Sequence, residues 1–249
     1  VAEPACDPWL KLMVQGQYEK DQAWEARGGG YANTVSEAGW EGFRAHLAEA
    51  RAHLSEAQRL RPDLPYAARL MISVAMGDGQ DEPRRWFDRA VAADFACTDA
   101  YQAYEWSLMP RWGGSHEAMM AFARECLGTG RFDTGVPLRY LAILQTIIGE
   151  DGDKDVDLWR ADPAIAGELD RLLAGMCAAS TAEAETLAWY SAERVAAAVA
   201  CGAKARAVTL ARALPAGGVP AGVWGVFYLE PARGRAQLDG WVSEHDALP

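Results

Sequence analysis

Between Thr34 and Pro62 the sequence TVSEAGWEGFRAHLAEARAHLSEAQRLRP places Trp40, Phe43, Leu47, Ala50, Leu54 and Ala57 at alternating intervals of three and four. That spacing lines them along one side of an α-helix, so the helix is expected to lie against neighbours that cover the stripe. Thr34 and Glu37 form a T-x-x-E capping box, in which each side chain satisfies a backbone N–H at the helix start. Pro62, which lacks an N–H and clashes with the preceding turn, ends it.

The same period recurs on both sides. Asp7-Pro8 is an N-cap followed by proline at the first helical position, and the helix it opens runs to about Arg27 with Trp9, Leu10, Met13, Val14, Tyr18 and Trp24 on its apolar side. Gly28, Gly29 and Gly30 close it, so residues 7–62 read as an antiparallel helix pair. Further helices follow at Leu64–Met76, at Pro83–Ala93 after Glu82, from Thr98 as cap to just before Pro110, and from Ser115 to Leu127. A helix opening at Thr134 or Gly135 carries Leu138, Leu141, Leu144 and Ile147 or Ile148, and another runs from the Asp162-Pro163 cap through Cys177. An Ala-rich helix from Ser180 or Thr181 to Cys201 and its partner from Ala203 to Leu214 come next. The Gly- and Pro-containing tail from Pro215, with Val223, Trp224, Val226, Phe227 and Tyr228, reads as a cap over the last apolar face. No stretch alternates apolar and polar residues as a half-buried strand would.

SEAQRLRPDLPYAARL and DRAVAADFACTDAYQAYEW fall into register at an offset of about 33 to 35 residues, the period of a tetratricopeptide-type repeat. The expected fold is therefore all-α, an α-solenoid of stacked antiparallel helix pairs. Its expected parts are residues 1–150 as tetratricopeptide-like repeats, 151–214 as further repeats and 215–249 as the capping tail.

Composition narrows the partners. The 249 residues are 50% hydrophobic, enough for a substantial core, and the formal net charge is −11. Such a balance disfavours nucleic acid and anionic membrane surfaces, both of which require a basic face. The longest uncharged run, Ala213 to Leu229, is too short and too broken by Pro215, Pro220 and glycines to span a bilayer. The chain opens VAEPACDPW without a methionine, so the expected location is cytoplasmic, or periplasmic or exported after signal removal. Cys6, Cys97, Cys126, Cys177 and Cys201 are an odd set with no C-x-x-C, and Cys126, Cys177 and Cys201 sit in apolar helical contexts expected of small buried thiols.

The phrases AWEARGGGYANTVSEAGWEGF (Ala23 to Phe43) and SLMPRWGGSHEAMMAFA (Ser107 to Ala123) resemble the signatures of a bacterial tetratricopeptide-like family of unassigned function. The resemblance covers about residues 7 to 150. It implies an α-solenoid that binds a protein or peptide, and it brings no catalytic residues to transfer; no cofactor is expected.

Four constellations bear on chemistry. In DGDKDVDLWRAD, Asp151, Asp153, Asp155, Asp157 and Asp162 imitate an EF-hand calcium loop, but Val156 stands where the sharp turn needs glycine and Asp162 is shorter than the usual bidentate Glu. A solvated acidic connector is the expected role. His46, Glu49, His53 and Glu56 lie along one flank of the 34–62 helix, but two imidazoles two turns apart do not readily share one metal ion, so a solvent-facing polar stripe is expected. The glycine loops Arg27–Ser36 and Arg111–Ser115 each lead into a capped helix N-terminus, where backbone N–H groups and an arginine can hold a carboxylate or phosphate. Neither matches a nucleotide-binding motif, and the favoured explanation of the glycines is that they let Trp40 and Trp112 pack at tight helix joins. Finally, ten Trp and eight Tyr are mostly core, with Tyr101, Tyr104, Trp106 and Trp112 close enough in sequence to line a recognition groove.

The leading expectation is a non-enzymatic scaffold whose binding residues are Arg27, Tyr31, Asn33, Tyr101, Tyr104, Arg111 and Trp112. The rival is an all-α hydrolase or transferase using Asp133, His116, Ser115 or Glu105 near the second glycine loop. Because a ligand stabilises only by binding the folded state, millimolar calcium is expected to leave the melting temperature unchanged if the 151–157 aspartates only solvate a turn. A calcium-dependent rise that disappears in Asp153→Ala would establish the EF-hand alternative.

Overall fold

The computed structural model describes residues 7–151, 160–180, 184–214 and 218–247. Among them every regular element is a helix, as the spacing of apolar positions predicts. The chain divides into two compact units, Val1–Met119 and Met120–Pro249, and the division falls inside a helix.

In the first unit α1 (Pro8–Arg27), α2 (Glu37–Leu60), α3 (Tyr66–Asp78), α4 (Pro83–Ala93) and α5 (Thr98–Ser107) pack in succession, and α3 also meets α1 and α5. On α2 the residues Phe43, Leu47, Ala50, Leu54 and Ala57 are buried as their spacing requires, with Trp40 half-buried. The start of α2 differs from the capping box: Ser36 is the cap, its Oγ accepting the Gly39 N–H at 3.0 Å. Thr34 is already committed to a single 3-10 turn, Ala32–Thr34, where its Oγ1 donates to the Tyr31 carbonyl at 2.7 Å. At α5, Cys97 and not Thr98 occupies the cap position, and Thr98 is the first helical residue.

The apolar side of α1 is also distributed differently. Gly16 and Ala23 are buried, whereas Leu10, Val14 and Tyr18 are 48%, 60% and 58% exposed. Close approach is the reason: a Cβ at Gly16 would stand 2.6 Å from Leu54 Cδ2, so α1 meets α2 through its small residues and turns larger ones outward. The polar flank of α2 only partly faces solvent: Glu49 is exposed, whereas His46, His53 and Glu56 are half-buried, and the two histidines lie against α1. His46 Nδ1 lies 2.6 Å from Glu19 Oε2 on α1, and the half-buried His53 sits beside Gly16. Further along, Glu56 pairs with Arg59 of its own helix.

Arg51 ties α2 to the turn between α3 and α4. Its Nε and Nη2 donate to the two Asp78 oxygens at 2.6 and 2.8 Å, and its Nη1 donates to Asp81 at 2.7 Å.

The second unit begins within α6 (His116–Gly128) and continues through α7 (Arg139–Asp151), α8 (Pro163–Ala179), α9 (Ala184–Ala200), α10 (Lys204–Arg212), α11 (Ala221–Val226) and α12 (Pro231–Asp246). The Ala-rich α9 is its centre, touching α8, α10, α11 and α12 with Val195 through Ala200 buried. Small side chains allow several neighbours to approach at once. Glu168 on α8 accepts from Arg124 Nε at 2.8 Å and from the buried Tyr140 hydroxyl at 2.6 Å. Burial, with that carboxylate beside it, pushes the Tyr140 phenol well above its ordinary range. The expected capping tail contains a 16-residue helix, α12, opened by Glu230, whose carboxylate accepts the Ala232 and Arg233 N–H groups. Asp162 caps α8 through the Ala164 N–H at 2.8 Å, while Asp153, Asp155 and Asp157 of the EF-hand-like stretch lie outside the described residues. Cys97, Cys126, Cys177 and Cys201 are free thiols. No helix among the described residues is long and apolar enough to cross a membrane.

The hydrogen bond from Arg51 holds the Asp81 carboxyl below its ordinary value of 3.8. A carboxylate whose folded value is depressed stabilises fully above the unfolded value and loses that contribution as pH falls through the folded one. Arg51→Gln is therefore expected to lose less stability than the parent chain between pH 5 and pH 2, as read by urea unfolding at each pH. Parallel pH profiles would contradict this assignment.

Candidate functional site

The first glycine loop starts where α1 stops. Gly28 takes a left-handed conformation at φ 74°, open to glycine at no steric cost, and its N–H closes the last turn on Trp24 and Glu25. Arg27 then folds back over the loop, with Nη1 donating to the Gly28 and Gly30 carbonyls at 3.1 and 3.0 Å. Tyr31, beyond the glycines, is 79% exposed, and Asn33 is exposed beside it.

The second loop follows α5. Met109 is buried, Pro110–Trp112 makes one 3-10 turn, and Gly113 at φ 88° reverses the chain. Gly114 packs so closely that a Cβ there would stand 1.9 Å from the Leu108 carbonyl oxygen. Ser115 Oγ accepts the Ala118 N–H at 3.1 Å and starts α6.

These loops are far apart in sequence, and the structure brings them together. Arg27 Cζ lies 4.7 Å from the centre of the Trp112 ring, 5.6 Å from Trp40 and 5.9 Å from Trp24. Trp24 meets Trp112 edge to face at 5.3 Å, and both Trp24 and Trp40 pack edge-on against Phe43, at 5.0 and 5.7 Å. A guanidinium over electron-rich indole faces gains cation–π attraction, larger as the contact is desolvated.

Beside this cluster is a cavity of about 410 Å³, bounded by Met76, Glu82, Arg84, Tyr104, Trp112 and Gly113. Tyr104 is half-buried and stacked on Phe87 at 4.8 Å, with Arg84 above it. The Trp112 Nε1 is buried without a hydrogen-bond acceptor. Arg111 is exposed and lies 4.4 Å from the Trp106 ring, itself 45% exposed.

The structure thus gathers Arg27 and Trp112, keeps Tyr31, Asn33 and Arg111 exposed, and places Tyr104 on the cavity wall. Tyr101 is a correction: it is 4% exposed and packed edge-on against Phe87 at 5.0 Å, so it belongs to the core and not to a groove. Sequence reasoning missed Trp24, Trp40 and Arg84 as site components. Trp24 stands one turn before Arg27 on the same helix face, the one signal that places it there.

The residues weighed for an enzymatic site have structural positions. Ser115 is a helix cap, Glu105 is buried, the half-buried His116 opens α6, and Asp133, in the second unit, holds Arg131 through two bonds of 2.8 Å. No group of three or more His, Cys, Asp or Glu able to hold a metal ion occurs among the described residues.

Because the Leu108 carbonyl is backbone and cannot step aside, Gly114→Ala is expected to cost about 2 kcal/mol or more in urea unfolding. Gly128→Ala, where a Cβ would meet nothing within 4 Å, is the matched control and is expected to be neutral or slightly stabilising. Equal effects of the two substitutions would contradict the close packing of the second loop. Comparison with family models, curated proteins and solved structures gives no match to this chain, so its function rests on the geometry of the joined loops.

Proposed function

We propose that this chain is a non-enzymatic, tetratricopeptide-like solenoid module that binds a protein or peptide partner across the two joined glycine loops. The observation that carries this reading is the meeting of Arg27 and Trp112, which makes one surface from two loops. That surface combines an exposed tyrosine, an arginine lying over an exposed tryptophan, and a cavity walled by Tyr104 and Trp112. Aromatic side chains and arginine are the residues enriched at protein interfaces and among their energetic anchors. A concave aromatic cavity beside glycine backbone suits an inserted side chain of a partner better than a small polar substrate.

Tyr31→Ala and Arg111→Ala remove exposed tips, so both variants are expected to fold normally. Binding to a partner recovered by affinity capture, then purified and titrated, is expected to weaken by about 1–2 kcal/mol or more in each variant. Undiminished binding in both would move the interface off the glycine loops. A turnover of small-molecule substrate that survives purification to homogeneity would replace the reading with an enzymatic one.

A further inference from the structure

The outward side of α1 carries an apolar stripe that the joined glycine loops do not use. Leu10, Val14 and Tyr18 are exposed along it, and Tyr66 of α3, whose ring centre lies 6.3 Å from that of Trp9, is exposed beside them. Apolar residues exposed singly are ordinary, but four gathered along one groove of about 610 Å³ mark a surface for association. Charged residues of opposite sign close the two ends of the stripe. Lys11 and Asp21 are both exposed, and Lys11, Val14, Tyr18 and Asp21 follow one another at intervals of three, four and three. Those intervals keep all four on one side of the helix over about 15 Å. They also read the same in both directions. With a second copy of the helix laid antiparallel about a midpoint level with Gly16, Val14 falls opposite Tyr18 and Lys11 falls opposite Asp21, each pair occurring twice. A two-fold interface requires this reciprocity, in which residue i meets j and j meets i.

We propose that α1 is a self-association surface, pairing antiparallel with α1 of a second copy of this chain in a two-fold dimer. The inference concerns a face other than the joined glycine loops and stands independently of the partner-binding reading. The occupant follows from the charges: a partner of one sign would set Lys11 or Asp21 against its like, whereas a second copy brings the opposite charge to each end. Asp21 already accepts from Gln17 and Lys20, and a carboxylate has lone pairs for a further donor. The formal net charge of −11 opposes the pairing of two copies at long range. At about 0.15 M salt, however, the Debye length is about 8 Å, so most of that repulsion is screened while the apolar contact is not.

Sedimentation equilibrium of the full chain in that salt is expected to show a mass rising with concentration from 27.0 kDa toward twice that value. Val14→Asp puts a charge into the apolar centre of the pair and is expected to keep the chain single. Lys11→Glu and Asp21→Lys each set like charges together at both ends of the pair, and each is expected to weaken dimerisation by about tenfold or more. An equimolar mixture of these two variants is expected to associate as tightly as the parent, because the mixed pair again joins opposite charges at both ends. All three positions are exposed, so the variants are expected to keep the parent's circular dichroism.

A chain that stays at 27.0 kDa at the highest attainable concentration overturns the proposal. A dimer left intact by Val14→Asp overturns it as well, since the interface then lies elsewhere. So does a mixture of Lys11→Glu and Asp21→Lys chains that associates no better than either variant alone, which contradicts the antiparallel register. Tyr31→Ala and Arg111→Ala are expected to dimerise like the parent. A dimer lost in those two variants would move the contact to the glycine loops and overturn its assignment to α1.

Discussion

The contact on which the joined loops of the first unit depend is that of one guanidinium with three indoles. Arg27 ends α1, Trp40 sits in the first turns of α2, and Trp112 closes the turn after α5, so a single side chain fixes two loops and the ends of two helices. A cation–π contact contributes about 0.5 to 2 kcal/mol depending on desolvation, comparable to a core methyl group or two. Its consequence is geometric. Glycines without side chains cannot hold their own loops in place, and the arginine does so by bonding their carbonyls while its faces rest on tryptophan.

The same end of the unit shows why the helices can approach closely enough for this. A Cβ at Gly39 on α2 would stand 2.9 Å from the Ala26 carbonyl on α1, and Gly16 presses on Leu54 further along the pair. Small residues at the contact exchange side-chain burial for backbone proximity, which leaves Leu10, Val14 and Tyr18 of α1 facing out, with Tyr66 of α3 also exposed. Those four residues rim an apolar groove between α1 and α3 of about 610 Å³. The close packing of α1 on α2 therefore also leaves large apolar side chains of α1 exposed.

Helix positions were legible because three-to-four spacing and acid-proline starts are local. Asp7-Pro8, Glu82-Pro83 and Asp162-Pro163 mark starts that the structure keeps, and Glu230-Pro231 carries the same signal for α12. That helix was missed because its sequence, PARGRAQLDGWVSEHD, buries only Gly234 and Leu238 and so shows little apolar period. Which face of α1 points inward was not legible, since a buried glycine is silent in a hydrophobic pattern. At the site, exposure of Tyr31, Asn33 and Arg111 followed from their polar, loop-borne character, but Tyr101 and Tyr104 are indistinguishable in sequence. Both meet Phe87, and Tyr101, which also packs edge-on against Phe95, is buried while Tyr104 stays half-buried. The convergence of Arg27 and Trp112 is a long-range contact, and no local pattern encodes it.

The central claim is that Arg27 and Trp112 bind the two loops energetically as well as spatially. A double-mutant cycle with Arg27→Met and Trp112→Leu, read by urea unfolding of the full chain, measures that coupling directly. A coupling energy of about 1 kcal/mol or more is predicted, because each single substitution removes the same contact. Additivity to within about 0.3 kcal/mol would contradict it and leave the loops as neighbours without a shared latch.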